Sequence, residues 1–505
     1  MLSYRPFRLE ITVTLRLETF HVGTGQQLSL ATDSPILRDQ KGAPYLPASS
    51  LRGVIRSHLE REAPLLGCAP AVIDCLFGNT PARNDKFTNS LGRLQVSDAR
   101  LQDPAVFDTE VRDHVRVEAK SGAAQNKGKF DSEAATGSHL LNCTLIYEGE
   151  SALDKELLLV QEALRAIESG ELNCGAKSGW GYGRLWAPQI RYLAFDRTQP
   201  QALAAFCAHR LQTPQKLSAI FTWPNYDPAD ALPINPALPP WCWLDMNLEL
   251  AFEGPVLVRA PIPPTGSKTT PVDAKNHLLY PDKGLVTADQ LFIQTGRHGA
   301  YYLPGSALRG VLSAQANRIA QTMGRKPLFN DLFGTINTTD GTGQKSILVV
   351  EDGSLDGKPS PVYLDHVAID RLTGFAADSK KFSTCALQSP RFRTRIRIRF
   401  TQSTMGALAL FGFILRDLCE GWLWVGGGVT RGFGYLPRAT IQYVALNYTS
   451  DFTVPDTLLP NIKRLFPAGR TRMATPGPID FYDLNELWAE AETAWKATIP
   501  SEGAA

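Results

Sequence analysis

Paired cysteines and long apolar segments are both missing from this chain. Its eight cysteines in 505 residues form no Cys-x-x-Cys pair, which argues against a disulfide scaffold and favours a reducing compartment. The longest apolar run, Met405 to Leu415, is shorter than the ~20 residues that span a bilayer. The first ten residues lack the apolar stretch of a secretory signal. We therefore expect a cytoplasmic protein with no membrane partner.

Net charge is also small. The 52 Lys and Arg residues are nearly balanced by 50 Asp and Glu residues, which leaves a formal charge of +2. Bulk attraction to a polyanion is therefore not expected, and any nucleic-acid surface must come from local clustering. A chain of this length exceeds one ordinary core, so at least two domains are expected.

What the chain does contain is a repeat. The segment Tyr45 to Val54 returns as Tyr302 to Val311 with eight of ten positions identical. Downstream, Asp113–Phe130 aligns with Asp365–Phe382 without a gap, with seven identities in 18 positions. Two further landmarks, Leu-Phe-Gly and Gly-x-Gly, recur in the same order. Such internal similarity predicts two copies of one domain.

Each copy alternates between strand and helix patterns. Residues 9–17 and 244–250 have the period-two alternation of a half-buried strand, and helical spacing follows each repeated phrase. A second helix is expected near 153–169 and 405–419, followed by a Gly-rich turn and a closing strand. This order predicts an α+β fold with two tandem ferredoxin-like domains carrying long insertions.

The expected domains are 1–195 and 244–445. Between them, residues 196–243 form a Pro-rich linker, and the eight prolines in 200–240 predict a semi-rigid tether that forms no continuous helix. Residues 446–505 form a C-terminal extension that ends in an amphipathic helix, with Asp483 and Glu486 placed as a capping box. That helix either covers its own domain or anchors a partner subunit.

The repeated phrase combines serines with an arginine at the start of a predicted helix. Ser49, Ser50 and Ser306 are placed for N-cap chemistry with free backbone amides. Arg52 and Arg309 fall in the first turn, where a cation opposes the helix dipole. An anion such as phosphate would offset that cost, and a nearby carboxylate is the alternative.

Two further stretches carry cations. The Gly-rich turns 174–183 and 426–434 follow a helix and precede a strand, an order that excludes a phosphate-binding P-loop. Their residues Lys177, Ser178, Thr430 and Arg431 could meet phosphates or stacked bases, or the turns could be purely structural. Residues 391–399 place five arginines on one strand face, which requires either a polyanion or acidic neighbouring strands.

Together these motifs resemble the RAMP superfamily, specifically fused backbone subunits of type III CRISPR complexes of the III-D kind. The matching motifs are His-Val-Gly-Thr-Gly, Asp-Ser-Pro-Ile-Leu-Arg-Asp, Leu-Pro-x-Ser-x-Leu-Arg-Gly, Asp-His-Val and the terminal Gly-rich loop. The resemblance implies modified RRM-like domains with β-hairpin thumbs at 112–130 and 364–382. It also implies stacking along a CRISPR RNA, with each thumb flipping one nucleotide out of the guide–target duplex.

The resemblance also implies site residues. The loop Asp before Ser-Pro, Asp33, is expected to be required for cleaving target RNA, whereas turn formation would be its ordinary role. Asp289 is the weaker counterpart in the second copy. RNA contacts are expected from His21, Ser49, Ser50, Arg52, His114, Arg116, Lys127, Lys129, Lys177, Ser178, Ser306, Arg309, His366, Lys380, Lys381, Thr430 and Arg431.

Magnesium is the expected cofactor for cleavage, because a single Asp suits a hydrated Mg²⁺. No residue is assigned as a dedicated metal ligand, and zinc is not expected at His58, Cys68 and Cys75, since no fourth ligand is evident. The expected partners are CRISPR RNA, complementary target RNA and other type III effector subunits. A non-catalytic scaffold and a nuclease that processes CRISPR RNA remain the alternatives.

Overall fold

The computed structural model describes residues 5–23, 32–63, 68–78, 92–104, 107–117, 124–151, 154–168, 170–210, 241–259, 277–280, 284–287, 290–292, 300–336, 343–358, 360–401, 404–448, 479 and 481–497. Two modules follow one another along the chain. No helix in this described part is long and apolar enough to cross a membrane.

The first module interleaves strands with three helices before its closing strand, and a fourth helix follows that strand. Its elements are β1 (Phe7–Leu17), β2 (Tyr45–Leu46), α1 (Ala48–Glu62), α2 (Pro70–Phe77), β3 (Leu94–Val96), β4 (Ala99–Leu101), β5 (Asp108–Val117), β6 (Ala124–Thr136), β7 (His139–Gly149), α3 (Glu156–Glu168), β8 (Trp186–Asp196) and α4 (Pro200–Arg210).

The second module repeats this order and adds short strands in its insertions. Its elements are β9 (Trp241–Glu253), β10 (Pro255–Val256), β11 (His277–Tyr280), β12 (Gly284–Thr287), β13 (Gln290–Leu291), β14 (Tyr302–Leu303), α5 (Gly305–Thr322), α6 (Lys326–Phe333), β15 (Thr335–Ile336), β16 (Gly343–Gln344), β17 (Leu348–Val350), β18 (Gly353–Asp356), β19 (Pro361–Ile369), β20 (Ala376–Gln388), β21 (Arg391–Thr401), α7 (Met405–Cys419), β22 (Tyr435–Tyr448) and α8 (Asn485–Ala497).

The two main sheets have the same strand order. The first runs β2-β4-β7-β1-β8 and the second β14-β18-β21-β9-β22, with β3 and β17 as side pairings. In the first sheet β1 lies between β7 and β8, and in the second β9 lies between β21 and β22. Each of these central strands pairs antiparallel with both neighbours. This is the order of a ferredoxin-like βαββαβ unit, so the predicted α+β fold with two tandem domains is confirmed.

Each module has its own hydrophobic core. The alternating residues 7, 9, 11, 13, 15 and 17 of β1 are at most 2% exposed and pack in one cluster with α1, α2 and α3. A separate cluster joins β9, β21 and β22 to α5, α6, α7 and α8. Because apolar and polar residues alternate along the central strands, one face of each sheet is buried under its helices. The other face is left for contacts outside the module.

The linker prediction is partly wrong, because residues 200–210 form α4. Proline is tolerated here since it occupies the first helical position, and the next proline comes only at 214. Phe206 of α4 stacks edge-on against Phe195 at 5.3 Å and lies under the guanidinium groups of Arg8 and Arg197. Residues 211–240 lie outside the described part.

The C-terminal helix α8 packs on α7 of its own module. The ring of Trp488 lies against Gly412, where an added Cβ would be 2.9 Å from the indole, and Trp495 meets Phe413 edge-on at 5.3 Å. Ala491 and Trp495 are buried. The helix therefore covers the second module's helical layer, one of the two interpretations left open by its sequence. The side chain of Asp483 lies outside the described part, so the predicted capping box stays a prediction.

A β-hairpin rises from each module. Strands β5 and β6 pair in antiparallel register from Asp108↔Thr136 to Val117↔Ala124, and β19 and β20 do so from Pro361↔Leu387 to Ile369↔Ala376. The hairpins are longer than the expected thumbs at 112–130 and 364–382. The tip of the first, residues 118–123, lies outside the described part.

The arginine-rich strand β21 forms the contact between the modules. Arg397 donates from Nη1 to the carbonyl oxygen of Gly170 at 3.0 Å, and its Nε lies 3.2 Å from Glu351. Arg399 pairs with Glu62 of α1 at 2.8 Å. Arginines 393 and 395 pair within the second module, with Asp356 and Asp245. The described partners of these four arginines are therefore acidic side chains and a carbonyl.

A second contact point centres on Arg112 at the base of the first hairpin. Its guanidinium contacts Asp352 at 2.9 Å and lies 4.6 Å from the ring centre of Tyr302. The Tyr302 hydroxyl donates to Glu110 at 2.8 Å. Burial alone would lower the pKa of Arg112, but the carboxylates, Asp352 foremost, hold it well above the usual value. The tyrosine that opens the second copy of the repeated phrase thus lies at the contact between the modules.

Candidate active site and RNA-binding surface

Asp33 is held against the first hairpin by a reciprocal pair of hydrogen bonds. Its backbone amide donates to Asp131 Oδ1 at 2.6 Å, and the amide of Asp131 donates to Asp33 Oδ2 at 3.0 Å. Asp33 remains exposed, so its carboxylate can meet an incoming ligand. The arrangement brings two carboxylates together on the outer edge of β6.

The next residues of the loop are fixed by His21 and Glu133. The backbone amide of Glu133 donates to the carbonyl of Ser34 at 2.9 Å, and its carboxylate accepts from the amide of Ile36 at 3.0 Å. His21 Nδ1 lies 2.6 Å from the Glu133 carbonyl, and since a carbonyl only accepts, Nδ1 carries the proton. Nε2 is then the acceptor for the Ser34 hydroxyl at 3.2 Å. His21 is therefore a positioning group for the Asp33 loop.

His114 lies in a stack of rings at the base of the same hairpin. It is sandwiched between Phe130, with ring centres 5.0 Å apart, and Trp180, at 4.7 Å. Its Nε2 lies 2.9 Å from the Ser132 hydroxyl. Burial, and then the charge of Lys177, lowers the pKa of His114 to about 3. Burial likewise lowers the pKa of His21, so both imidazoles are neutral near pH 7.

The Gly-rich loop places Lys177 beside this stack. The amide of Ala176 donates to the His21 carbonyl at 2.9 Å. A Cβ on Gly183 would lie 1.8 Å from the Cys174 carbonyl oxygen, so the loop closes only with glycine there. This close packing brings Lys177 Nζ to 5.4 Å from the Trp180 ring centre and 6.0 Å from that of Phe130.

Lys177 has an unusual backbone conformation. Its φ of 63° and ψ of 27° are left-handed, which costs a non-glycine residue about 1–2 kcal/mol. At the matching position the second module has Gly428, with φ 78° and ψ 20°. Burial and then the charge of Arg112 lower the pKa of Lys177 to about 8. Ser178 follows in a 3₁₀ turn and is half-buried.

The second module repeats the ring stack with a different cation. His366 stacks on Phe382 at 4.8 Å and tilts against Phe433 at 5.7 Å. Arg431 lies 5.0 Å from the ring centre of Phe382 and replaces Trp180 of the first module. Burial, then the charge of Arg431, lowers the pKa of His366. The duplicated stack supports similar roles for the two hairpin bases.

The loop that carries Asp33 is not repeated in the same way. Asp289 lies outside the described residues, whereas the following strand β13 runs beside Thr384 and Cys385 of β20. The positions that match Asp131 and Glu133 are held by Ser383 and Cys385. The second module therefore lacks both carboxylates that secure the loop in the first.

The arginines of the repeated phrase have internal partners. Arg52 donates to the carbonyl of Phe77 and lies 5.4 Å from its ring centre. Arg309 donates to the carbonyl of Phe333 at 3.0 Å and lies 5.0 Å from that ring. Each arginine thus ties the start of one helix to the C-terminal carbonyls of the next, where a cation is favourable. This contact explains why Leu-Arg-Gly and Leu-Phe-Gly recur together.

The expected N-cap role of the serines is wrong. The helices begin at Ala48 and Gly305, directly after a proline, so Ser49, Ser50 and Ser306 lie in the first turn. Asp98 accepts from the amide of Ala48 at 2.9 Å, and Asp352 accepts from that of Gly305 at 2.7 Å. In each module a carboxylate from the short turn between two neighbouring strands therefore accepts from the amide that we expected to be free. RNA contact by these serines and arginines stays a prediction.

Four of the remaining predicted RNA-binding residues are exposed. Lys129 is exposed on β6, and Lys380 and Lys381 are exposed on β20. Lys381 pairs weakly with Asp365 at 3.4 Å, and Thr430 is exposed in the second Gly-rich loop. The side chains of Arg116 and Lys127 lie outside the described part.

The described side chains offer few groups that could bind a metal ion. Among them no group of three or more His, Cys, Asp and Glu residues could hold an ion. Asp33 and Asp131 each use one carboxylate oxygen for the reciprocal bonds, which fits the one or two carboxylates that hold a hydrated Mg²⁺. In the region considered for zinc, His58 Nε2 lies 3.2 Å from Glu162. Burial would raise the pKa of Glu162, but Arg165 and then His58 lower it to about 2.

Two residues of this site escaped sequence reasoning. Asp131 and Glu133 secure the Asp33 loop, yet their role depends on a contact between segments 98 and 97 residues apart. A signal was present, because both directly follow the repeated stretch and have no acidic counterpart in the second copy.

Comparison with known proteins gives two matches. The family model of the RAMP superfamily matches residues 15–186 and 285–436, one region in each module. The chain is also similar to the CRISPR system Cms endoribonuclease Csm3 of Methanocaldococcus jannaschii, with 26% identity over 198 residues. That alignment covers 35% of this chain and 78% of the relative, which is about the size of one module.

Proposed function

Since the chain belongs to the RAMP superfamily, we propose that it is a backbone subunit of a type III CRISPR ribonucleoprotein. It binds CRISPR RNA along both modules and cleaves complementary target RNA at Asp33. The observation that carries this proposal is the exposed Asp33 carboxylate, secured on the hairpin by Asp131. The similarity to a named CRISPR endoribonuclease supports the same reading.

The ring stacks support binding of single nucleotides at the hairpin bases. Phe130 is 38% exposed and continues the stack of His114 and Trp180, so a displaced base can extend it. Stacking of a base on an aromatic ring contributes about 1–3 kcal/mol and tolerates any sequence. Sequence tolerance is what a subunit that carries many different guides requires.

Cleavage follows from a nucleotide displaced beside Asp33. Once the base leaves the duplex, the 2′-oxygen of the same nucleotide's ribose can align with the adjacent phosphorus. It then displaces the 5′-oxygen of the following nucleotide. Asp33 accepts the proton of the attacking 2′-hydroxyl, and the leaving 5′-oxygen takes a proton from solvent. The products carry a 2′,3′-cyclic phosphate and a 5′-hydroxyl. Mg²⁺, held by Asp33 and Asp131, would offset the negative charge that develops on the phosphate.

For the second module we propose RNA binding without cleavage. It keeps the ring stack through His366 and Phe382, but Ser383 and Cys385 replace the two carboxylates of the first module. A processing nuclease that uses histidine as acid and base is disfavoured, because His21 and His114 are engaged in positioning and stacking contacts.

The test is a cleavage assay on the assembled complex with guide RNA, Mg²⁺ and labelled complementary RNA. We expect Asp33→Ala to abolish one cleavage product and Asp289→Ala to abolish none. Retention of every product by Asp33→Ala contradicts the proposed site, and loss of a second product with Asp289→Ala shows a second working site. RNA must also co-purify with the complex, so a 260/280 nm absorbance ratio typical of protein alone contradicts the binding role.

A further inference from the structure

We infer that Lys177 is a catalytic residue of the first module, where its ammonium group neutralises the charge that develops on the scissile phosphate beside Asp33. This inference rests on the proposed function and adds a cationic partner to the carboxylate. It also gives a second reason for cleavage in one module only.

The position of Lys177 is the first observation. Its left-handed backbone, with φ 63°, is the conformation that Gly428 adopts in the second module. The second module therefore shows that this loop conformation forms with no side chain at this position. A lysine in a conformation that disfavours non-glycine residues points to a requirement for the side chain.

The surroundings of the ammonium group are the second observation. Nζ is shielded from solvent, and it has no hydrogen-bond acceptor among the described residues. The charged and titratable groups that influence it or lie beside it are Arg112, Asp131, His21 and His114. Arg112 is already neutralised by Asp352 and Glu110, and both histidines are neutral near pH 7.

Asp131 is then the one negative group of this set. In the described structure its carboxylate does not come within the 4.0 Å of Lys177 Nζ that an ion pair requires. Its Oδ1 is already engaged by the amide of Asp33. A desolvated ammonium without an acceptor is unfavourable, so a ligand that brings acceptor oxygens is expected to bind there. A phosphate of RNA laid across Asp33 supplies those oxygens.

The chemistry requires such a cation. As the 2′-oxygen bonds to phosphorus and the bond to the 5′-oxygen breaks, negative charge accumulates on the non-bridging oxygens. A positioned positive charge stabilises this state more than the ground state. Phe130 and Trp180 hold the ammonium and exclude water from it, which strengthens the interaction.

A purely structural lysine is the alternative, with Nζ serving only to bind the two rings. Three substitutions separate the roles. Lys177→Gly restores the loop of the second module, Lys177→Met keeps the apolar stem without the charge, and Lys177→Arg keeps the charge. Thermal unfolding of each variant checks that the module still folds.

The experiment measures single-turnover cleavage and target affinity of the full chain in its guide complex. We expect Lys177→Gly and Lys177→Met to slow cleavage at the Asp33 site about 100-fold at saturating target, with a much smaller loss of target affinity, and Lys177→Arg to retain most of the rate. An unchanged rate in Lys177→Gly or Lys177→Met overturns the inference. So does a loss of affinity that accounts for the slower cleavage, or an equal loss in Lys177→Arg.

Asp33→Ala is assayed in parallel. If it abolishes the product while Lys177→Gly does not, only the inference on Lys177 fails. If Asp33→Ala cleaves normally, the proposed cleavage site itself fails, whatever the lysine variants do.

Discussion

At the residue scale, the site contains two histidines whose pKa values are lowered by burial. His114 has a pKa of about 3, because burial and the nearby charge of Lys177 disfavour the imidazolium. The unfolded chain takes up this proton near pH 6.5, whereas the folded chain does so only near pH 3. The stabilisation from neutral His114 is therefore complete above pH 6.5 and is lost as the pH falls towards 3. His21 acts in the same direction.

This predicts a pH-dependent stability that His114 controls. Between about pH 6.5 and pH 5, the free energy of unfolding should fall by up to about 1.4 kcal/mol per pH unit from this one group. In His114→Phe, which keeps the ring stack, the slope should be smaller. Urea unfolding of both proteins across this range measures the difference, and equal slopes would show that His114 does not titrate as described.

Residue identity alone predicted part of this site. Asp33 and the histidines were predicted from their motifs, since each lies in a short recognisable phrase, and their functional roles stay predictions. Asp131 and Glu133 were not, because they act through hydrogen bonds to a loop almost a hundred residues away. The internal partners of Arg52 and Arg309 were not predicted either, since a sequence cannot show that a helix C-terminus will lie within their reach.

At the element scale, strand β21 shows how far a pattern can be read. Its alternating arginines predicted a strand with one charged face, and the described strand, Arg391–Thr401, has that form. The sequence left the partner of that face open. The tertiary structure supplies an acidic partner, because Glu351 pairs with both Arg397 of the second module and Arg184 of the first.

Truncation of Arg397 tests the importance of this contact. Arg397→Ala removes one of the two arginines that pair with the half-buried Glu351, and it leaves the Gly170 carbonyl without this donor. We therefore expect a loss of about 1–3 kcal/mol in stability. Arg393→Ala on the same strand is the matched control, because its side chain is 61% exposed, and should cost less than about 1 kcal/mol. Denaturant unfolding compares them, and similar losses would contradict the interface described above.

At the scale of the whole molecule, duplication supplied the architecture and divergence supplied the differences between the modules. Both sheets, both helix pairs and both ring stacks are repeated. By contrast, Asp131 and Lys177 are matched by Ser383 and Gly428. The repeat made the fold predictable from the sequence, because four landmarks in one order define the elements between them. The packing of one module against the other had no such signal.

The most direct test of the central claim, cleavage at Asp33 of the first module, is the rate of target cleavage by Asp33→Asn. Asparagine retains an oxygen that can accept the Asp131 amide and therefore preserves the loop while it removes the negative charge. In the assembled guide complex, we predict that one product is lost while target affinity is retained. Cleavage at the unmodified rate and position would contradict the account.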